Sequence, residues 1–191
     1  MIISLTGFMG CGKSSVGRKL SALLSCSYID LDSVIEEKSG RSIPEIFADD
    51  GEAMFRLMEM EALCNVIRDC QDGDNKPSHV LALGGGTVMT PECARLVQKN
   101  TFCVYLRASA DTLFKHLENE AEGRPMLSSA QQDNACTSES DALRKRISEL
   151  MDSRSETYEK TAHVIIDTDG RSVGEIAEEI ITEFRRAHAC L

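Results

Sequence analysis

The sequence predicts an α/β fold: a three-layer α/β/α domain around a five-stranded parallel sheet. Three observations lead there. Short apolar runs of strand length alternate with helical stretches along all 191 residues. The first run, Ile2-Ile3-Ser4-Leu5, passes through a glycine-rich turn straight into a helical segment. A later run, His79-Val80-Leu81-Ala82-Leu83, is apolar from Val80 onward, as a strand covered on both faces requires. The length suits a single domain spanning residues 1–191.

Each element has its own signal. The helix from about Lys13 carries Val16, Leu20 and Leu23-Leu24 on one face. Tyr28-Ile29-Asp30-Leu31 reads as the second strand. Helices follow over about 33–39 and 44–48, then a longer one from Glu52 to about Asp69, stopped by Asp72-Gly73-Asp74. His79 to Leu83 is the third strand, and Pro91 opens the next helix at its first turn. Phe102 to Leu106 is the fourth strand, and Ser109 caps a helix running through Leu117. Val164 to Asp167 is the fifth strand and Val173 to Arg186 the closing helix. Between them, Ser128 to Asp141 is polar and nearly free of apolar residues, so a mobile loop within the domain is expected.

Composition narrows the function. Asp and Glu number 31 against 21 Lys and Arg, a formal charge of -10, which argues against nucleic acid or an anionic membrane as partner. An anionic substrate must therefore meet a local cluster of cations. No apolar run reaches the length of a transmembrane helix, and the start lacks a basic n-region, so a cytoplasmic protein is expected. The eight cysteines show no CxxC pair and no Cys/His cluster of zinc type. Cys64, Cys70 and Cys103 fall in apolar segments, where a thiol behaves as a small hydrophobe.

The first turn carries the most specific signal. Gly7-Phe8-Met9-Gly10-Cys11-Gly12-Lys13-Ser14 fits GxxxxGK[ST] between a strand and a helix, the P-loop of nucleoside triphosphatases. Its glycines turn backbone N–H groups inward around phosphate oxygens, and the helix N-terminus adds positive potential. Lys13 can reach the β- and γ-phosphates, and the Ser14 hydroxyl can ligand Mg²⁺. Cys11 reads as a small residue tolerated in the loop. A P-loop states that a nucleoside triphosphate binds and leaves open whether the protein is a switch, a motor or a small-molecule kinase.

The acceptor must be read elsewhere. Strand alternation puts Asp30 and Asp32 on one side near the carboxyl edge of the sheet, where open α/β sheets bind ligands; a helix cap is the plainer alternative. Arg56 and Glu59 are i,i+3 neighbours on a helix, either a surface ion pair or a guanidinium held to receive a carboxylate bidentately. Gly84-Gly85-Gly86 follows a buried strand, and three glycines in a row suggest close backbone approach to a ligand. Arg124 precedes the polar loop and Arg154 lies in the helix beyond it; singly, either could be a solvated surface arginine.

Together these segments resemble the shikimate kinases: GFMGCGKSSVGRKL, YIDLD, SGRSIPEIFADDGEAMFRLMEMEAL, LALGGGTV, GRPML and SRSETY, over nearly the whole chain. The resemblance implies a nucleoside-monophosphate-kinase-like fold with a mobile lid. It implies transfer of the ATP γ-phosphoryl group to the 3-hydroxyl of shikimate, a step of aromatic amino-acid biosynthesis by the chorismate route. By resemblance, Gly10, Cys11, Gly12, Lys13, Ser14 and Ser15 hold the ATP phosphates, and Ser14 with Asp30 serves Mg²⁺. Lys13, Asp32 and Arg124 are the expected catalytic residues, with Asp32 orienting the acceptor hydroxyl and Arg124 reaching the transferring phosphate from a lid over about 118–141. Arg56 and Arg154 are expected to bind the shikimate carboxylate, and Gly84, Gly85 and Gly86 to line the substrate; the substrate-binding segment is expected at about 32–60. Arg171, after the last strand, is expected on the adenine side.

The chain departs from the family pattern at Cys11 and Ser15, in a longer 71–78 loop, and in the long acidic segment after Met126-Leu127. The expected partners are ATP and shikimate, with neither nucleic acid nor membrane, acting on a monomer. Two other readings stand beside this one: a related P-loop kinase acting on gluconate or a nucleotide, and an ATP-binding regulatory module without transfer.

Overall fold

Strand β1 (Ile2–Thr6) is buried along its whole length, and that fixes the layering: both of its faces must be covered. The computed structural model describes residues 1–70, 77–118 and 139–189. After β1 come α1 (Lys13–Leu24), β2 (Ser27–Asp30), α2 (Leu31–Ser39), α3 (Ile43–Asp49) and α4 (Gly51–Asp69). Then follow β3 (His79–Ala82), a 3-10 turn (Thr87–Met89), α5 (Pro91–Asn100), β4 (Thr101–Arg107) and α6 (Ala110–Leu117). The chain continues with α7 (Glu139–Thr161), β5 (Val164–Asp167) and α8 (Val173–His188).

All strand pairs are parallel, in the order β2-β3-β1-β4-β5. Side chains alternate between two apolar cores. Ile3, Leu5 and Val104 pack with Val16, Leu20 and Ile180 on one face. Leu81 and Cys103 pack with Leu31, Leu63, Val97 and Tyr158 on the other. Register decides what meets at the carboxyl edge: Asp30 of β2 pairs with Ala82 of β3, which pairs with Leu5 of β1. The segments leaving those three strands therefore begin level with one another. They are the P-loop, the start of α2 and the glycine triplet.

The expected five-stranded parallel sheet is present, with several differences in detail. Strand β2 ends at Asp30, because the Asp30 side chain accepts from Asp32 N and caps α2. Asp32 thus sits in the first helical turn instead of on a strand. Leu23 of α1 is exposed at 44%, while Ser21 turns inward and satisfies its hydroxyl on Arg18 O at 3.0 Å. Cys64 is exposed, so it is no core hydrophobe, whereas Cys70 and Cys103 are buried as expected. Helix α7 already begins at Glu139, inside the stretch expected as loop. Residues 71–76 and 119–138, with Arg124 and most of the expected lid, lie outside the described residues. Among the described residues, no helix is long and apolar enough to cross a membrane.

Candidate active site

The P-loop is a backbone device. Gly10 and Gly12 take φ of 80° and 92°, a region that costs a side-chain-bearing residue strain, and Gly12 forms the N-cap of α1. Lys13 folds back over the loop, its Nζ donating to Gly7 O at 2.9 Å and Phe8 O at 3.0 Å. That leaves an ammonium and a helix N-terminus facing the same hollow.

Beside it stands Asp30. Its Oδ2 accepts from Ser14 Oγ at 3.2 Å and from the Tyr28 hydroxyl at 2.9 Å, while Oδ1 accepts from Asp32 N at 3.2 Å. The Ser14–Asp30 pair offers hard oxygen donors against the phosphate hollow, which fits Mg²⁺, an ion bound through one or two protein groups with phosphate and water completing the shell. The next carboxylate is different. Burial, and then the negative charge of Asp30, push Asp32 up to about 6, with Lys13 pulling the other way and Glu59 and Glu36 adding to the rise.

Glu59 organises the acceptor side. It is 1% exposed, and Arg56 Nη1 donates to its Oε2 at 2.8 Å while the Thr87 hydroxyl donates to its Oε1 at 2.6 Å. Arg56 also donates to Glu52 at 2.9 Å, so its fork is held from two sides. The expected ion pair is therefore anchored on a buried carboxylate and is no ordinary surface contact. The glycine triplet is a spacing device. A Cβ on Gly84 would lie 2.8 Å from Asp32 Oδ1, and one on Gly85 would lie 3.2 Å from Met9 N in the P-loop. Arg154 is buried to 7% exposure and donates to Gly85 O at 3.4 Å.

These groups open into one cleft of about 850 Å³. Gly10, Gly12, Lys13, Ser14, Ser15, Asp30 and Asp32 line it, together with Arg56, Gly84, Gly85, Gly86 and Arg154. Two expected residues do not. Cys11 is buried beneath the loop, and Arg171 is tied to Asp167 O at 3.1 Å and to Glu179 away from the cleft wall. Arg124 falls outside the described residues.

Sequence reasoning missed several members. Phe47 and Phe55, ring centroids 4.8 Å apart, form an apolar wall beside Arg56. His116 lines the phosphate end and contacts Gly10 O through Nδ1 at 2.8 Å. Thr87 supports Glu59, and the Tyr158 hydroxyl donates to Gly85 O. Thr87 directly follows the triplet and Tyr158 is i+4 from Arg154, the only hints that the chain carried. The arrangement can hold a polyphosphate at one end and a carboxylate at the other, with an ionisable Asp32 on the wall between.

The shikimate kinase family model matches residues 9–185. Relatives of the same name include one from Thermus thermophilus, 39% identical over 184 residues, covering 96% of this chain and 90% of that protein. Another, from Dictyoglomus turgidum, is 34% identical over 185 residues and covers 96% of each chain. Among solved structures, a shikimate kinase from Acinetobacter baumannii in complex with shikimate superposes with a TM-score of 0.83 at 27% identity, covering 97% of this chain and 93% of that one.

Proposed function

The chain belongs to the shikimate kinase family, whose members transfer phosphate from ATP to shikimate, and from that premise we propose how its cleft residues carry out transfer to the shikimate 3-hydroxyl. The single observation that carries the reading is the convergence of Lys13 and Ser14 with Asp32, Arg56 and Arg154 on one cleft. An acidic chain has gathered Lys13, Arg56 and Arg154 where two anions must meet.

The P-loop backbone and Lys13 bind the β- and γ-phosphates and draw charge toward the leaving group. Ser14 and Asp30 would hold Mg²⁺, which neutralises phosphate oxygens when bound. Arg56 and Arg154 clamp the acceptor carboxylate, and the Phe47–Phe55 wall packs its ring. Asp32 accepts a hydrogen bond from the attacking hydroxyl and aims it at the γ-phosphorus. With its pKa at about 6 it is ionised at neutral pH and close enough to take the proton as transfer proceeds. Arg124, from the Gly123-Arg124-Pro125 motif, adds positive charge to the transferring group. The product, shikimate 3-phosphate, feeds the chorismate route to the aromatic amino acids.

A coupled ADP-release assay with shikimate, gluconate and CMP in separate and competing reactions tests this. ADP release is expected with shikimate. Release confined to gluconate or CMP would overturn the acceptor assignment, and release with none of them would favour a binding module without transfer.

A further inference from the structure

The Gly85 carbonyl accepts two hydrogen bonds, from the Tyr158 hydroxyl and from Arg154 Nη1 at 3.4 Å. Both donors come from α7, where residues four apart share a face. We propose that Tyr158 is a positioning residue of the acceptor site, whose hydroxyl keeps the Gly85 carbonyl paired so that Arg154 is released to receive the acceptor carboxylate. The inference rests on the reading that Arg154 binds that carboxylate.

Tyr158 is suited to a fixed post. It is 1% exposed, and its ring stacks on Tyr105 with centroids 5.1 Å apart and planes at 25°. Burial raises its pKa against the opposing pull of Arg154, so the phenol remains a donor. Its acceptor is equally constrained, because Gly85 packs so closely on the P-loop that even a Cβ would lie 3.2 Å from Met9 N. The peptide has little room to turn toward another partner. Arg154, by contrast, makes a long bond to the carbonyl, with its guanidinium 6.0 Å from the Phe8 ring centroid. It is the donor that can leave.

A half-buried carbonyl stripped of its partners is costly, and Tyr158 removes that cost when Arg154 turns to a ligand. Without the hydroxyl, Arg154 becomes the sole donor to Gly85 O among the described residues, and acceptor binding must break that bond. Shikimate affinity should then fall roughly tenfold.

The test is Tyr158→Phe, with Arg154→Ala and the double variant, read by calorimetric binding of shikimate, steady-state kinetics and thermal unfolding. Tyr158→Phe is expected to raise Kd and KM for shikimate about tenfold, with kcat and KM for ATP within about twofold, and to add nothing on top of Arg154→Ala. A lowered Tm with shikimate Kd unchanged, while Arg154→Ala weakens binding, would overturn the inference and leave the Arg154 reading intact. Unchanged binding in Arg154→Ala would overturn both. If Tyr158→Phe does not fold, the parent chain labelled with 3-fluorotyrosine serves instead, since it holds only three tyrosines. The Tyr158 fluorine resonance, identified with Tyr28→Phe and Tyr105→Phe, should shift saturably with shikimate; a resonance that does not move sinks the inference.

Discussion

Gly86 and Arg56 are packed so closely that a Cβ on the glycine would lie 2.6 Å from the arginine Nη2. The last glycine of the triplet makes room for a guanidinium, as the first makes room for Asp32 and Glu59. Gly86 has φ of -115°, so alanine is acceptable to the backbone and only the contact is at stake. Gly86→Ala should push Arg56 out of line and raise KM for shikimate by roughly ten- to a hundredfold, with KM for ATP little changed. An unaltered shikimate KM would show that Arg56 does not need this position.

Arg56→Lys keeps the charge and loses the fork. An ammonium cannot serve Glu59 and Glu52 and also meet a carboxylate with two parallel bonds. The expected loss in kcat/KM for shikimate is about 2–4 kcal/mol, roughly 30- to 1,000-fold. Parent-like kcat/KM in a folded Arg56→Lys protein would remove Arg56 from the carboxylate clamp.

Asp32 is held at a thermodynamic disadvantage. Its folded pKa of about 6 lies above the model-peptide range because burial and Asp30 oppose its charge. A carboxyl that binds its proton more tightly when folded lowers stability as it ionises. The penalty is absent below about pH 4, grows as pH rises, and is complete above about pH 6, at roughly 3 kcal/mol. Asp32→Asn should therefore raise Tm of the nucleotide-free and metal-free chain at pH 7.5, with the gain vanishing near about pH 4. Its kcat should fall by about a hundredfold or more. A variant that gains no stability at neutral pH, or that turns over like the parent, contradicts this account.

Asp30→Asn separates the observed helix cap from the proposed Mg²⁺ role of the same side chain. Asparagine caps a helix about as well as aspartate, so α2 and the placement of Asp32 should survive. The Mg²⁺ concentration for half-maximal rate should rise roughly tenfold, with KM for shikimate near that of the parent. An unchanged Mg²⁺ titration would reduce Asp30 to a cap.

Arg124→Ala should lower kcat by roughly a hundredfold or more while ATP affinity changes less, because the arginine is assigned to charge that develops during transfer. Deleting residues 131–138, which carry none of the assigned site residues, should leave turnover within a few-fold of the parent. The reverse pattern in two folded variants would show that residues 131–138, and not Arg124, serve transfer.

The parts of this site that could be read from the chain are those whose partners lie close in sequence. GxxxxGK[ST] fits within eight residues, Arg56 and Glu59 are one helical turn apart, and the five apolar runs announce their strands by pattern. Even there, one boundary went to the plainer alternative, the helix cap. Asp30 spends its carboxylate capping a helix, which moves Asp32 off the strand and into the first turn of α2.

Folding made the remaining choices. Thr87 meets Glu59 across 28 residues, and Tyr158 meets Gly85 across 73. Neither residue type at its position announces such a partner, since a threonine after glycines and a tyrosine in a helix suit many environments. Likewise Leu23, apolar and in helical register, faces water while Ser21 goes inside, because side-chain polarity yields to the direction from which the sheet covers α1. Periodicity encodes which elements form. The strand register, which sets Asp30, Ala82 and Leu5 level across three strands, decides which side chains share a cleft. That register follows from packing of the whole chain, where long-range contacts outweigh local preference.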